Sequence, residues 1–435
     1  AAVALEYRKW RIEVEPNHVF LTASTSEAYG FLFRLLADPG ETVLVPAPSY
    51  PLFDHLARLD GIAVQSYSLE PDTGWRIDFS TLENVPDNVR ALVVVHPNNP
   101  TGSFVHPEDA QRLAELCGDR DWALIADEVF LSFVLEGGPG ERNSFAGTDE
   151  CLCFSLGGLS KTLGLPQLKL AWIAVNGPTE PVRRAIEGLE YIADAYLSVS
   201  TPISLAAPEL LAEGGMLRKA IVQRCCANLE ALRARAADFP FSTVPKVGGG
   251  WSAVLRVPAI IDDEELCLRL LDGFGVAVHP GYLFQFPQDG HLVISLLPTR
   301  ECFFEGVGRL FEGLDSLVNS PRLESQRVSN GSDWIAHHGR PHDECFELRS
   351  RSAFGPARRL TVDGRTVEAK APEVDPQASV GRVVIGWAAT IAGVFLVAAA
   401  VLAIRLLHRP FEPAASSVWA GAVSTVTVWS RVLDL

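Results

Sequence analysis

Residues 19–45 read VFLTASTSEAYGFLFRLLADPGETVLV, and this stretch decides the fold class. It opens on a short apolar run, Val19–Leu21, and closes on another, Thr42–Val45. Between them Ala28, Phe31, Leu32, Leu35 and Leu36 recur at i, i+3, i+4, i+7 and i+8, the spacing of one helix face. Strand, helix and strand in that order predict a parallel sheet covered by helices. The alternation continues through Ala63–Tyr67, Ala91–Val95, Ala123–Ala126, Cys151–Ser155 and Ala171–Val175. The expectation is an α/β fold, a mostly parallel seven-stranded sheet sandwiched by helices, over residues 1–225. In such folds ligands gather beyond the carboxyl ends of the strands.

A long helical stretch, Ala206 to Ala237, leads into a smaller α+β unit over residues 226–319. Strands are expected at Gly250–Val257 and Leu292–Leu296, with helices at Asp263–Gly273 and Phe303–Leu317. Beyond Asn319 the periodicity is lost, and residues 320–382 read as a disordered linker. Val383 to Ile404 is apolar and uncharged, bracketed by Arg382 and Arg405. At 1.5 Å per residue this run of about 22 residues spans roughly 33 Å, enough to cross a hydrocarbon core of about 30 Å. It is a candidate transmembrane helix that would anchor the preceding body to a membrane, with residues 405–435 as a tail.

The 435 residues carry a net charge of −16. Thirteen basic against eleven acidic residues from Pro321 onward leave −18 on the first 320. So acidic a body disfavours nucleic acid as a partner. The eight cysteines form no C-x-x-C pair, which argues for reduced thiols and a cytoplasmic body. His337, His338, His342 and Cys345 cluster in the polar segment without the pattern of a metal site, and no metal is expected. Ala1–Trp10 lacks the hydrophobic run of a signal peptide.

Four segments carry chemistry. Ser24, Thr25 and Ser26 lie where a strand gives way to a helix, so their hydroxyls and the backbone N–H groups make a phosphate cradle or simply a cap. His96-Pro97-Asn98-Asn99-Pro100-Thr101-Gly102 follows a strand, where an Asn side chain can reach a ligand oxygen or only fix a turn. Asp127 ends the apolar run of Ile125-Ala126. A carboxylate there needs a partner such as a protonated pyridine nitrogen, unless it caps a helix. Ser160-Lys161-Thr162 follows a strand and Gly157-Gly158, with Lys169 eight residues on; a half-buried lysine can lose its proton and attack a carbonyl carbon, whereas a solvated one does not.

Taken in order, TASTSEA, PAPSYP, HPNNPTG, IADE and LSKTLGLPQLKLAW resemble the class I/II aminotransferases, pyridoxal-phosphate enzymes of fold type I, from about Val14 to Leu317. The resemblance implies pyridoxal 5′-phosphate as cofactor, an amino acid and a 2-oxo acid as substrates, and a homodimer. By position, Lys161 would hold the cofactor and shuttle the proton at the substrate α-carbon. Asp127 would pair with the pyridine nitrogen, Asn99 would bond the phenolic oxygen, and Tyr50 would stack on the ring. Ser24, Thr25 and Ser26 would hold the phosphate, with Lys169 where relatives carry arginine, and Ser160 would be a further cofactor-binding residue.

Three departures stand out. Phe130 occupies the place of a tyrosine that bonds the phenolic oxygen. Val293 occupies the place of the arginine that clamps the substrate carboxylate, and Arg300 is offered as its substitute. The chain also begins partway into the family's N-terminal region, so residues 1–225 read as a truncated large domain. A lyase or cyclising synthase of the same cofactor class, or a degenerate non-catalytic fragment, stands as the alternative to amino transfer.

Overall fold

The computed structural model describes residues 1–137 and 144–318, together with two short strands, Thr361–Val362 and Arg365–Thr366. Residues 1–341 and 342–435 form separate units, and the first is described here. The two short strands pair antiparallel with each other. The remainder of the expected linker, the candidate membrane segment 383–404, the tail, and the His337–Cys345 cluster lie outside the described residues. Among the described residues no helix is long and apolar enough to cross a membrane.

The large sheet has eight strands. They are β1 (Val19–Thr22), β2 (Thr42–Ala47), β3 (Ala63–Glu70), β4 (Arg76–Ile77), β5 (Val89–Val95), β6 (Ala123–Asp127), β7 (Cys153–Gly158) and β8 (Ala171–Asn176). Their spatial order is β1-β8-β7-β6-β5-β2-β3-β4. β7, β6, β5, β2 and β3 pair in parallel, and β8 runs antiparallel between β7 and β1. Six strands therefore point one way, and their carboxyl ends share one edge. β5 and β6 are buried over nearly their whole length, as a sheet covered on both faces requires. Each of their fully buried Val, Leu and Ile side chains contributes about 1.5–3 kcal/mol.

Seven strands were expected; the eighth, β4, has two residues and no readable period. It pairs antiparallel with the end of β3. β7 also runs past its expected end at Ser155. Gly157 and Gly158, beyond that end, are strand residues paired with Trp172 and Ala171. The Trp172 indole lies so close that a Cβ on Gly157 would sit 2.5 Å from it. The glycine makes room for a ring and does not break the strand.

Helices α1 (Ala2–Arg8), α2 (Thr25–Leu36), α3 (Phe53–Leu59), α4 (Pro107–Asp119), α5 (Leu159–Thr162), α6 (Thr179–Tyr196), α7 (Thr201–Glu213) and α8 (Gly215–Ala237) follow the chain. Ala28, Phe31 and Leu32 of α2 are buried against Val43, Val93 and Ile173, as the helical spacing predicts. The single helix expected from Ala206 to Ala237 is instead α7 and α8, broken at Gly214-Gly215, where two poor helix formers adjoin.

The smaller sheet, β10-β11-β9, is antiparallel: β9 spans Ser252–Arg256, β10 His279–Pro280 and β11 His291–Ser295. With α8, α9 (Asp263–Phe274) and α10 (Arg300–Val318) it encloses a core of Leu229, Leu255, Leu270, Leu292 and Phe311. Asp263 is buried yet satisfied, accepting from the backbone N–H groups of Gly281, Gly290 and His291.

Candidate active site

Because β1, β2, β5, β6 and β7 point the same way, the residues that follow them meet at one edge: Ser24 to Ser26, Tyr50, Asn99, Asp127, and Ser160 with Lys161. Asp127 is the last residue of β6 and is 6% exposed. Its Oδ2 accepts the Tyr29 hydroxyl at 3.0 Å, and its Oδ1 accepts the Val129 N–H at 3.2 Å. Burial pushes its pKa up; the two hydrogen bonds and the charge of Lys161 oppose the rise. A carboxylate offers about four acceptor positions, and two are filled here.

Lys161 lies in the short helix α5, straight after β7. Its Nζ stands 5.6 Å from the Phe130 ring centroid and 5.2 Å from that of Trp251. Burial between these rings lowers its pKa, against the pull of Asp127. An amine so placed sheds its proton more readily than a solvated one and becomes a nucleophile. Tyr50 is half-buried with its ring edge-on to Phe53 at 5.9 Å; burial and then the charge of Asp127 raise its pKa.

The two adjacent asparagines divide their work. Asn98 is buried and spent on structure: its Oδ1 accepts from Ser49 Oγ at 2.7 Å, and its Nδ2 donates to Pro48 O and Thr101 Oγ1. Asn99 is half-buried, and among the described residues its amide makes no protein hydrogen bond. Ser24 caps α2 by accepting the Glu27 N–H at 3.1 Å, while Glu27 accepts the Ala23 N–H at 2.6 Å. This is close to a capping box, and the Ser24 hydroxyl proton remains available to a ligand. Thr25, Ser26 and Ser160 are half-buried. Lys169 is exposed and lies in the left-handed region at φ 51°.

Val293 is 2% exposed, on β11 opposite Val254, in an apolar cluster with Tyr67, Trp75 and Phe286. The position expected to clamp a carboxylate is thus dry and uncharged. Arg300 opens α10 at the surface with its guanidinium 5.4 Å from the Phe304 ring, and none of its described contacts is with the Lys161 group.

Sequence reading passed over Tyr29, Glu128 and Trp251. Glu128, beside Asp127, is buried; it accepts Ser144 Oγ at 2.7 Å and the Phe145 N–H at 2.6 Å, and burial pushes its pKa up to about 8. The run Gly248-Gly249-Gly250-Trp251 was a usable signal. Gly249 N–H donates to Gly102 O and Gly250 N–H to Phe133 O, each at 2.8 Å. A Cβ on Gly249 would stand 2.6 Å from Phe133 O, so only glycine lets β9 approach closely enough to bring Trp251 to Lys161.

An amine of lowered pKa, set near a buried carboxylate at the carboxyl edge of a parallel sheet, defines an α/β enzyme of amino and carbonyl chemistry. The family model described as aminotransferase class I and II matches residues 2–302, and the chain belongs to that family. It is a transaminase, of a family that uses pyridoxal phosphate and acts on amino acids and 2-oxo acids. It is 28% identical over 302 residues to an alanine aminotransferase of Mycobacterium tuberculosis, covering 68% of this chain and 70% of that protein. It is 27% identical over 283 residues to an S-alkyl-thiohydroximate lyase of Arabidopsis thaliana, covering 62% of this chain and 60% of that protein. The solved alanine aminotransferase of Pyrococcus furiosus shares the fold at a TM-score of 0.68 and 24% identity, over 72% of this chain and 81% of that one.

Proposed function

We propose that the transaminase holds pyridoxal phosphate at Lys161 and that the residues around it divide the work as follows. Bound pyridoxal phosphate supplies an aldehyde carbon for amines and a ring that withdraws electron density from a substrate's α-carbon. Lys161, whose pKa burial lowers, would hold the group through its Nζ and would carry the proton at the substrate α-carbon. Asp127, whose ionised form the hydrogen bonds from Val129 and Tyr29 favour, would accept a hydrogen bond from the ring nitrogen. Asn99 would donate its uncommitted amide to the phenolic oxygen, and Tyr50 would stack on the ring. Ser24, Thr25, Ser26 and Ser160 hold the phosphate with hydroxyls and backbone N–H groups, and Lys169 adds a point charge.

The observation that carries this reading is the contrast between Lys161 and Asp127. One buried group is pushed toward neutrality, and the other keeps acceptor capacity that no donor among the described residues fills. A ligand with a carbonyl carbon at one end and a proton donor at the other satisfies both. The test is amino transfer by the full chain, with a panel of amino acids as donors and 2-oxoglutarate as acceptor. Product 2-oxo acid and glutamate in equal amounts are expected; absence of any transfer overturns the reading.

A second reading is β-elimination, favoured by the likeness to the Arabidopsis lyase. Ammonia released without a 2-oxo acid acceptor distinguishes it. We further propose an isologous homodimer, supported by the exposed apolar side chains Tyr191, Leu197, Leu205 and Met216 on and between α6, α7 and α8; sedimentation at twice the chain mass is expected. The run Val383–Ile404 supports attachment of a cytoplasmic catalytic body to a membrane. Expressed full chain should then sediment with membranes until detergent is added.

A further inference from the structure

The indole Nε1 of Trp251 is fully buried and has no hydrogen-bond acceptor among the described residues. Its ring stands edge to face with Phe130 at 5.3 Å and with Phe133 at 5.0 Å, and Lys161 Nζ lies 5.2 Å from its centroid. Phe130 and Phe133 carry no acceptor, and Lys161 Nζ makes no hydrogen bond with the indole N–H. The side chain is not there by accident of a loose loop. Gly249 and Gly250 are hydrogen-bonded to Gly102 and Phe133, and the Trp251 carbonyl accepts the Leu296 N–H at 2.8 Å. Burying an N–H without an acceptor costs stability, and the cost disappears when a ligand brings one.

We infer that Trp251 orients the bound small molecule by donating its Nε1–H to an anionic oxygen of whatever Lys161 holds. This rests on the reading of Lys161 as the cofactor's anchor. Two oxygens meet the description: the phenolic oxygen of pyridoxal phosphate, and the carboxylate of an amino acid bound beside it. Neither Phe130 nor Val293 can serve such an oxygen, since both side chains are hydrocarbon. A tryptophan donor among apolar walls supplies in this chain what those positions lack.

The experiment compares the full chain with Trp251→Phe, which keeps an aromatic ring and removes the donor. Each is titrated with pyridoxal phosphate and then with a panel of amino acids. If the cofactor oxygen is the acceptor, Trp251→Phe binds pyridoxal phosphate about tenfold more weakly or worse, as loss of a hydrogen bond to a charged group implies, and its visible absorption band shifts. If the substrate carboxylate is the acceptor, the band stays in place while KM for amino acids rises about tenfold. The ligand-free thermal midpoint of Trp251→Phe reflects only the packing lost against Phe130 and Phe133, so the donor is read from the spectrum and from KM. Unchanged spectrum and unchanged KM overturn the inference. A wild-type chain that takes up no pyridoxal phosphate overturns both the inference and the reading beneath it.

Discussion

Tyr29 on α2 donates its hydroxyl to Oδ2 of Asp127 at the end of β6, 3.0 Å away, and both residues are buried. The bond joins the helix that follows β1 to the carboxylate at the centre of the sheet edge. It also favours the ionised form of a group that burial pushes toward neutrality. Tyr29→Phe should therefore raise the pKa of Asp127 further and move the acid limb of the pH–activity profile toward neutral pH. A hydrogen bond to a charged group is worth about 1.5–3 kcal/mol, so the unfolding free energy at pH 8 should fall by about that much. Chemical denaturation and a pH–rate profile check the two outcomes separately.

Glu128 offers a prediction about pH that needs no ligand. Its carboxyl is raised from an ordinary 4.5 to about 8 by burial. The folded state therefore binds a proton that the unfolded state has released, and stability falls as pH rises from about 4.5 through about 8. At roughly 1.4 kcal/mol per pH unit the loss is at most about 5 kcal/mol. Glu128→Gln keeps an acceptor for the Phe145 N–H and can offer an amide N–H to Ser144 Oγ in place of the bond that Ser144 donates, so its thermal midpoint should vary less across that window than the wild type's. Parallel curves for the two proteins would count against the assignment.

Val293 tests how far the carboxylate site departs from the family's. Its side chain packs with Val254, Tyr67 and Trp75. Val293→Arg would bury a cation without an acidic partner among those neighbours, at a cost of about 3–5 kcal/mol. The expected outcome is a marked drop in thermal midpoint with no gain in amino-acid affinity. A stable variant with lower KM would show that the apolar cluster opens to admit a carboxylate.

How much of this was legible in the sequence varies from element to element. Ala91–Val95 and Ala123–Ala126 read as strands because burial on both faces leaves continuous apolar runs. β4 did not, since two residues carry no period. The strand ending expected at Ser155 fell short of Gly157-Gly158, because the reason for that glycine, the Trp172 indole, is visible only across the sheet. Lys161, Asp127 and Asn99 were named from motif order, and the chain brings them to one edge. Which of Asn98 and Asn99 is committed to structure could not be read, because the partners of Asn98, Ser49 and Pro48, lie about fifty residues away in sequence. Tyr29 and Trp251 escaped for the same reason: their roles arise from tertiary contacts with Asp127 and Lys161 that no local pattern records.

The account depends most on Lys161. The direct measurement is to add pyridoxal phosphate to wild type and Lys161→Ala, record the visible spectrum, reduce with borohydride, and map the modified peptide by mass spectrometry. The wild type should gain a visible band that borohydride abolishes, leaving a stable adduct on the peptide that contains Lys161 and none in Lys161→Ala. An adduct on another lysine, or the same band and adduct in Lys161→Ala, would contradict the account.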